Sequence, residues 1–254
     1  MSHALMGNKL SEKISVMTDA GAILAATFED INQYISEGIS AAQVDQRVKL
    51  FIESKGAVPG FLGYQGFKYS TCISKNEEIV HGIPSEDKLF YDGDIVSIDI
   101  GVKLNGYYVD AARTFLIGNV SDQAKHLVEV TEASFFKAME GISAGSKMGD
   151  ISNGIQAYVE SNGLTIVKDL YSHGIGKNLH EDPLIPNYGM PNTGLLLEPG
   201  MTFAIEPMVN LGLPGIVTLD DEWTIVTEDL KWSAHYENTI LITETGVDIL
   251  TLDT

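Results

Sequence analysis

Apolar residues recur at mixed helical spacing over residues 9–36, at Ile14, Met17, Ile23, Leu24 and Phe28, which predicts a helix there. Glu37-Gly38-Ile39-Ser40-Ala41 follows, in which Gly38 suits a helix-closing residue and Ser40 the N-cap of the next helix. That second helix carries Val44, Val48, Phe51 and Ile52 and stops at Gly56. The same syntax returns over 121–163. A helix opened by Ser121 ends in Glu140-Gly141-Ile142-Ser143-Ala144, and its successor ends in Tyr158-Val159-Glu160-Ser161-Asn162-Gly163, beside Phe51-Ile52-Glu53-Ser54-Lys55-Gly56 earlier. Strand-like runs follow each helical pair, at 68–74, 79–83, 94–103 and 107–117, then at 165–169, 201–209, 215–218, 222–227 and 236–250. Helices and then strands, twice over, predict an α+β fold: two pseudo-symmetric halves of antiparallel strands backed by helices. No Gly/Ser/Pro-rich linker divides the halves, so 9–254 reads as one domain, with 1–8 as a disordered N-terminus or expression remnant.

The most informative pattern runs from Asp94 to Phe115. Two apolar, β-branched runs flank Asn105-Gly106, the dipeptide suited to a two-residue type I′ turn. If that turn forms, Leu104 faces Tyr107, Gly101 faces Asp110 and Asp99 faces Ala112. The period of two then puts Asp99 and Asp110 on one face as diagonal neighbours, with backbones about 7–8 Å apart. Both are embedded among Ile95, Val96, Ile98, Ile100 and Val109. Buried like charges need neutralising. Two readings stay open: one aspartate in a turn with the other paired to Arg113, or both binding metal.

Four other stretches concentrate suitable chemistry. Ser172-His173-Gly174-Ile175-Gly176-Lys177-Asn178-Leu179-His180-Glu181-Asp182-Pro183 holds two histidines, and its glycines predict a loop. Glu206 sits in an apolar run just before Pro207, Glu237 opens another such run, and His81 stands in Val80-His81-Gly82-Ile83-Pro84. Singly, each histidine is as well explained as a structural residue and each glutamate as a strand end in water. Together with the hairpin they offer four carboxylates and one or more imidazoles, a donor set suited to two divalent ions of Mn, Fe, Co or Zn. The chain contains no His-Glu-x-x-His, no Gly-x-Ser-x-Gly and no Gly-x4-Gly-Lys, which removes the helical zinc protease, the nucleophile elbow and the phosphate loop.

Composition narrows the setting. Hydrophobic residues make up 44% of the 254 positions and charged ones 20%, as in a globular protein. The formal charge of −19 argues against general nucleic-acid or anionic-membrane binding. No apolar run approaches the ~20 residues of a membrane span, and no apolar signal segment opens the chain. Cys72 is the lone cysteine, which removes disulfide frameworks and thiolate zinc clusters and suits a reducing cytoplasm.

From about Ile14 to Ile249 the chain resembles type I methionine aminopeptidases, which have the pita-bread fold. The resemblance rests on Asn76-Glu77, His81-Gly82-Ile83-Pro84, Asp99, Asp110, His173-Gly174-Ile175-Gly176, His180-Glu181, Glu206-Pro207 and Glu237, in that order and spacing. It implies that Asp99, Asp110, His173, Glu206 and Glu237 ligate two metal ions, with Asp110 and Glu237 bridging. It further implies a metal-activated water as nucleophile, Glu206 as its proton acceptor, His180 at the substrate carbonyl and His81 at the scissile nitrogen. The methionine pocket would comprise Phe61, Tyr64, Phe67, Cys72, Leu179 and Trp223. Here the chain departs from the family pattern, which has a small or thiol residue at Phe61, histidine at Gln65, tyrosine at Phe67 and phenylalanine at Leu179. The implied partners are nascent chains beginning with methionine and a small residue, with transient ribosome contact, and the expected state is a monomer. The alternatives are a proline-specific aminopeptidase or dipeptidase of the same fold, and an inactive binding module.

Overall fold

The computed structural model describes residues 3–252. The first half comprises α1 (His3–Asn32), α2 (Ala41–Ser54), β1 (Val58–Pro59), β2 (Thr71–Lys75), β3 (Glu78–Val80), β4 (Ile95–Leu104) and β5 (Tyr107–Leu116). The second comprises α3 (Asp122–Met139), α4 (Met148–Ser161), β6 (Thr165–Ile166), β7 (Tyr171–Gly174), β8 (Glu181–Pro186) and β9 (Thr202–Ile205). It continues with β10 (Met208–Asn210), β11 (Ile216–Thr218), β12 (Ile225–Thr227), β13 (Ser233–His235), β14 (Glu237–Ile242) and β15 (Val247–Ile249).

The main sheet runs β1-β4-β5-β14-β9-β7-β8, with β2 also on β4 and β15 also on β14, and every pairing is antiparallel. The halves meet where β5 pairs with β14. Each half has its own apolar core. Met17, Leu24, Val44, Val48 and Ile52 of α1 and α2 pack with Ile98, Ile100 and Val109 of the sheet. Leu127, Phe135, Ile151 and Ile155 of α3 and α4 pack with Phe203, Ile205 and Ile240. A matching bridge precedes the second helix of each half, Ser40 to Leu89 and Lys147 to Leu196. The α+β class and the paired halves are therefore those predicted.

Local chemistry accounts for the main boundaries. Ser40 accepts from the Gln43 amide while the Gln43 side chain accepts from Ser40, a capping box that starts α2. Asn105 and Gly106 both have positive φ (45° and 86°), and the pairs Leu104–Tyr107, Gly101–Asp110 and Asp99–Ala112 form as the turn requires.

Elsewhere the structure corrects the reading. The first helix starts at His3, within the segment expected to be disordered, and residues 1 and 2 of that segment lie outside the described residues. It ends at Asn32, short of 36. Residues 172–183 are not a loop throughout: His173 lies on β7 and Glu181–Pro183 on β8, because β9 and β8 flank β7 and satisfy its backbone. Run 201–209 is broken at Glu206-Pro207 into β9 and β10, which join different sheets, since proline has no ladder N–H to give. Run 236–250 likewise folds back on itself as β14 and β15.

Candidate active site

One cross-strand row gathers most of the candidate groups. Asp99 faces Ala112, and Ala112 faces Glu237 across the seam between the halves. Asp110 lies two residues before Ala112, hence on the same face. Two residues past Glu237, Thr239 faces Ala204, which in turn faces His173. The small Ala112 and Ala204 leave open the space into which the longer side chains project. Thr239 locks the seam: its hydroxyl accepts from the Asp110 amide at 2.8 Å and donates to the Asp110 carbonyl at 2.9 Å. Glu206 enters from the end of β9, where its amide donates to Ser172 Oγ at 2.9 Å.

Arg113 pairs with neither aspartate. Its guanidinium is held by the carbonyls of Ala112, Glu237 and Thr251 and by Asn238 Oδ1, so the turn-and-ion-pair reading of the hairpin fails.

The cluster is electrostatically costly as it stands. Asp110 and Glu237 are only 3% and 2% exposed. Asp99 Oδ1, Asp110 Oδ1 and Glu237 Oε1 are buried without a hydrogen-bond partner. Burial, with each carboxylate repelling the next, pushes Asp99 up to about 7 and Asp110 and Glu237 well above the carboxylate range. Burial alone does the same to Glu206. Orphaned carboxylate oxygens at about 1–3 kcal/mol each are what a bound cation would satisfy. The donors fit one: atoms of Asp110, His173 and Glu237 lie within 4.8 Å of one another, as do those of Glu206, His235 and Glu237. Glu237 belongs to both groups, and the second brings in His235, whose Nε2 faces Glu206 and Glu237. Asp99 belongs to neither and joins the cluster through Asp110.

His173 is prepared for such a role. Its Nδ1 donates to the Gly174 carbonyl at 2.8 Å, which leaves the Nε2 lone pair facing Glu206 Oε1 at 3.5 Å. Burial lowers its pKa to about 3, so the ring is neutral near pH 7.

A cavity of about 270 Å³ opens onto this floor. Phe61, Tyr64, Phe67, Cys72, Leu179 and Trp223 all line it, together with His81, His180 and all five candidate ligands. The rings of Phe67 and Trp223 meet at 4.9 Å, and Phe61 packs over Gly101 so closely that a Cβ there would lie 2.7 Å from its ring. His81 has φ 59°, and burial lowers its pKa to about 4. At the rim, Tyr64 Oη lies 2.7 Å from His180 Nδ1 and accepts from Gln65 Nε2 at 3.2 Å.

Sequence reasoning passed over His235, which is 1% exposed beside Glu206 and Glu237. Its position two before Glu237, on a separate short strand, gave no local pattern to read. Tyr171, Leu184 and Met208 also line the cavity and were not foreseen.

A buried set of oxygen and imidazole donors at the bottom of a largely apolar cavity has the chemistry to hold a divalent ion, and the comparisons name the class. Residues 15–244 match metallopeptidase family M24, and the chain belongs to that family. Within it, the chain is 51% identical over 243 residues to methionine aminopeptidase 1 of Bacillus subtilis, covering 96% of this chain and 98% of that one. The crystal structure of methionine aminopeptidase from Thermotoga maritima superposes with a TM-score of 0.94 at 45% identity, over 95% of this chain and 97% of that one. An Xaa-Pro dipeptidase from Bacillus anthracis shares the fold alone, with a TM-score of 0.75 at 24% identity over 96% of this chain and 61% of that one.

Proposed function

We propose that this chain is a methionine aminopeptidase that removes the initiator methionine from nascent proteins whose second residue is small, using two divalent ions. Asp99, Asp110, His173, Glu206 and Glu237 would hold them, with Asp110 and Glu237 shared. The observation that carries the reading is a floor of buried carboxylates with unpaired oxygens beneath a largely apolar cavity of about 270 Å³. Bound there, such ions would lower the pKa of a water to about 7, the chemistry that would make it a nucleophile.

The remaining steps belong to the protein. Phe61, Phe67, Cys72, Leu179 and Trp223 exclude water and enclose an unbranched thioether, which packs well on aromatic faces. Glu206, whose protonated form is favoured by burial, takes the nucleophile's proton and passes it to the leaving amine. His180 donates to the carbonyl oxygen as it gains charge. His81 contacts the scissile nitrogen. Both histidines are held neutral by burial and so donate without adding a cation.

The enzyme would act as a cytoplasmic monomer on chains emerging from the ribosome, touching it transiently. No helix among the described residues is long and apolar enough to cross a membrane. Hydrolysis of Met-Ala-Ser measured beside X-Pro peptides tests the substrate class, and preference for X-Pro would overturn it. Glu206→Gln should bind peptide normally and lose about 10²–10⁴-fold in turnover. Near-normal turnover would remove Glu206 from the proton path.

A further inference from the structure

His235 ends β13, whose pairing with β10 sets it opposite Met208, two residues past Glu206. Thr114 fixes its backbone from both sides, accepting from its N–H at 3.1 Å and donating to its carbonyl at 2.8 Å. The ring is 1% exposed. Its Nε2 has no hydrogen-bond partner and lies 3.6 Å from Glu206 Oε2 and 3.9 Å from Glu237 Oε2. Glu206 therefore stands between two imidazoles. His173 presents a lone pair beside Oε1, its proton being committed to the Gly174 carbonyl, while His235 faces Oε2.

We propose that His235 is a positioning residue: it carries its proton on Nε2, donates it to Glu206 Oε2, and so fixes the roll of the carboxylate that moves the reaction's proton. A glutamate's terminal torsion is broad, and among the described residues no other group donates a hydrogen bond to this carboxylate's oxygens. The present separation exceeds a full N–H···O bond by roughly 0.6 Å, within the reach of that torsion. With Oε2 occupied by a donor, Oε1 stays directed toward His173 and the shared donor cluster. A buried imidazole with no other acceptor nearer is thereby accounted for.

The inference rests on Glu206 being the proton carrier, and its test separates the two. Leucine fills the space of His235 without a donor, whereas glutamine restores an N–H at similar reach. In the metal-loaded enzyme, His235→Leu should lower kcat on Met-Ala-Ser about 10–100-fold with KM within about 2-fold, and His235→Gln should recover most of it. Metal stoichiometry by calorimetry should be unchanged in both variants. In the unaltered protein, ¹⁵N NMR should show His235 as the Nε2–H tautomer. An Nδ1–H tautomer, a lost metal equivalent, an undiminished kcat in His235→Leu, or failure of glutamine to rescue would each overturn the proposal. If the unaltered protein does not cleave Met-Ala-Ser, the functional reading falls, and the tautomer still decides whether His235 donates.

Discussion

The floor and the wall of the cavity are anchored differently. Asp99, Asp110, His173 and Glu237 stand on β4, β5, β7 and β14, each tied to neighbours by ladder pairs, and Glu206 follows β9 with its amide held by Ser172 Oγ. Phe61, Tyr64, Phe67, Leu179 and Trp223 stand in connections, among which Gln65 has φ 48°. A slip of one residue in the floor would turn a carboxylate into the opposite core, so its register cannot drift. These loop residues have no such constraint, and the departures from the pattern that the resemblance implies, at Phe61, Gln65, Phe67 and Leu179, fall among them. Under the proposed function, chemistry would rest on paired strands and selectivity mainly on loop residues, with Cys72 of β2, opposite Asp99, as a wall residue on a ladder.

The sharpest way to break the contrast is at a floor residue. Asp110→Asn keeps the shape and removes a carboxyl whose ionised form is penalised by burial and by the neighbouring carboxylates. Two opposite effects should follow: loss of metal binding with at least about 10³-fold of activity, and a higher Tm for the metal-free protein. Calorimetry and thermal melts in chelator check both. A lower metal-free Tm would mean that the cluster is not under like-charge strain.

The second effect is on stability against pH. In metal-free protein Asp99 titrates at about 7 rather than 3.8, and Asp110, Glu206 and Glu237 shift the same way. A carboxyl with a raised folded pKa contributes stability below its unfolded value and loses it as pH rises through the folded one. Buried His81, His173 and His235, lowered to between about 3 and 4, act oppositely, but only below their ordinary 6.5. Above about pH 6.5 the carboxylates act alone, so the metal-free Tm should fall from there towards pH 8, by about 2–4 °C per kcal/mol lost. Saturating metal should flatten the curve. A metal-free Tm that climbs over this range would contradict the cluster's assigned strain.

How much of this was visible in the chain depends on how local the signal is. The β4–β5 hairpin was legible in full, because Asn105-Gly106 sets the turn and alternation then sets the register. Glu206 was conspicuous beside Pro207, whose missing N–H also explains the break in its strand. The strand at His173 was hidden, since Gly174 argues for a loop until β8 and β9 supply the partners. The seam uniting Asp99 with Glu237 joins residues more than a hundred positions apart, and only resemblance suggested it before the pairing was seen. His235 had neither aid.

A smaller effect is expected at the rim. Tyr64→Phe removes the hydroxyl 2.7 Å from His180 Nδ1 and leaves that imidazole without its observed partner. One hydrogen bond of about 1 kcal/mol corresponds to roughly a 5-fold loss in kcat/KM, with metal affinity unchanged. A loss approaching that of Asp110→Asn would make the wall as essential as the floor.

The smallest perturbation tests whether the two regions are separable at all. Gly101 faces Asp110 across the hairpin and also lies under Phe61, so it touches both. An added Cβ would come within 2.7 Å of Phe61 Cε1 and 3.4 Å of Gly60 Cα. The ring can tilt away, whereas Asp110 is pinned by Thr239 at both its N–H and its carbonyl. Gly101→Ala should therefore push Phe61 into the cavity, raise KM for methionyl peptides a few-fold, and cost about 1–3 kcal/mol in stability by overpacking. Metal affinity should stay put, and adding Phe61→Leu should return KM most of the way. If Gly101→Ala instead weakens metal binding, strain passes through the strand into the carboxylates, and loop and ladder form one mechanical unit.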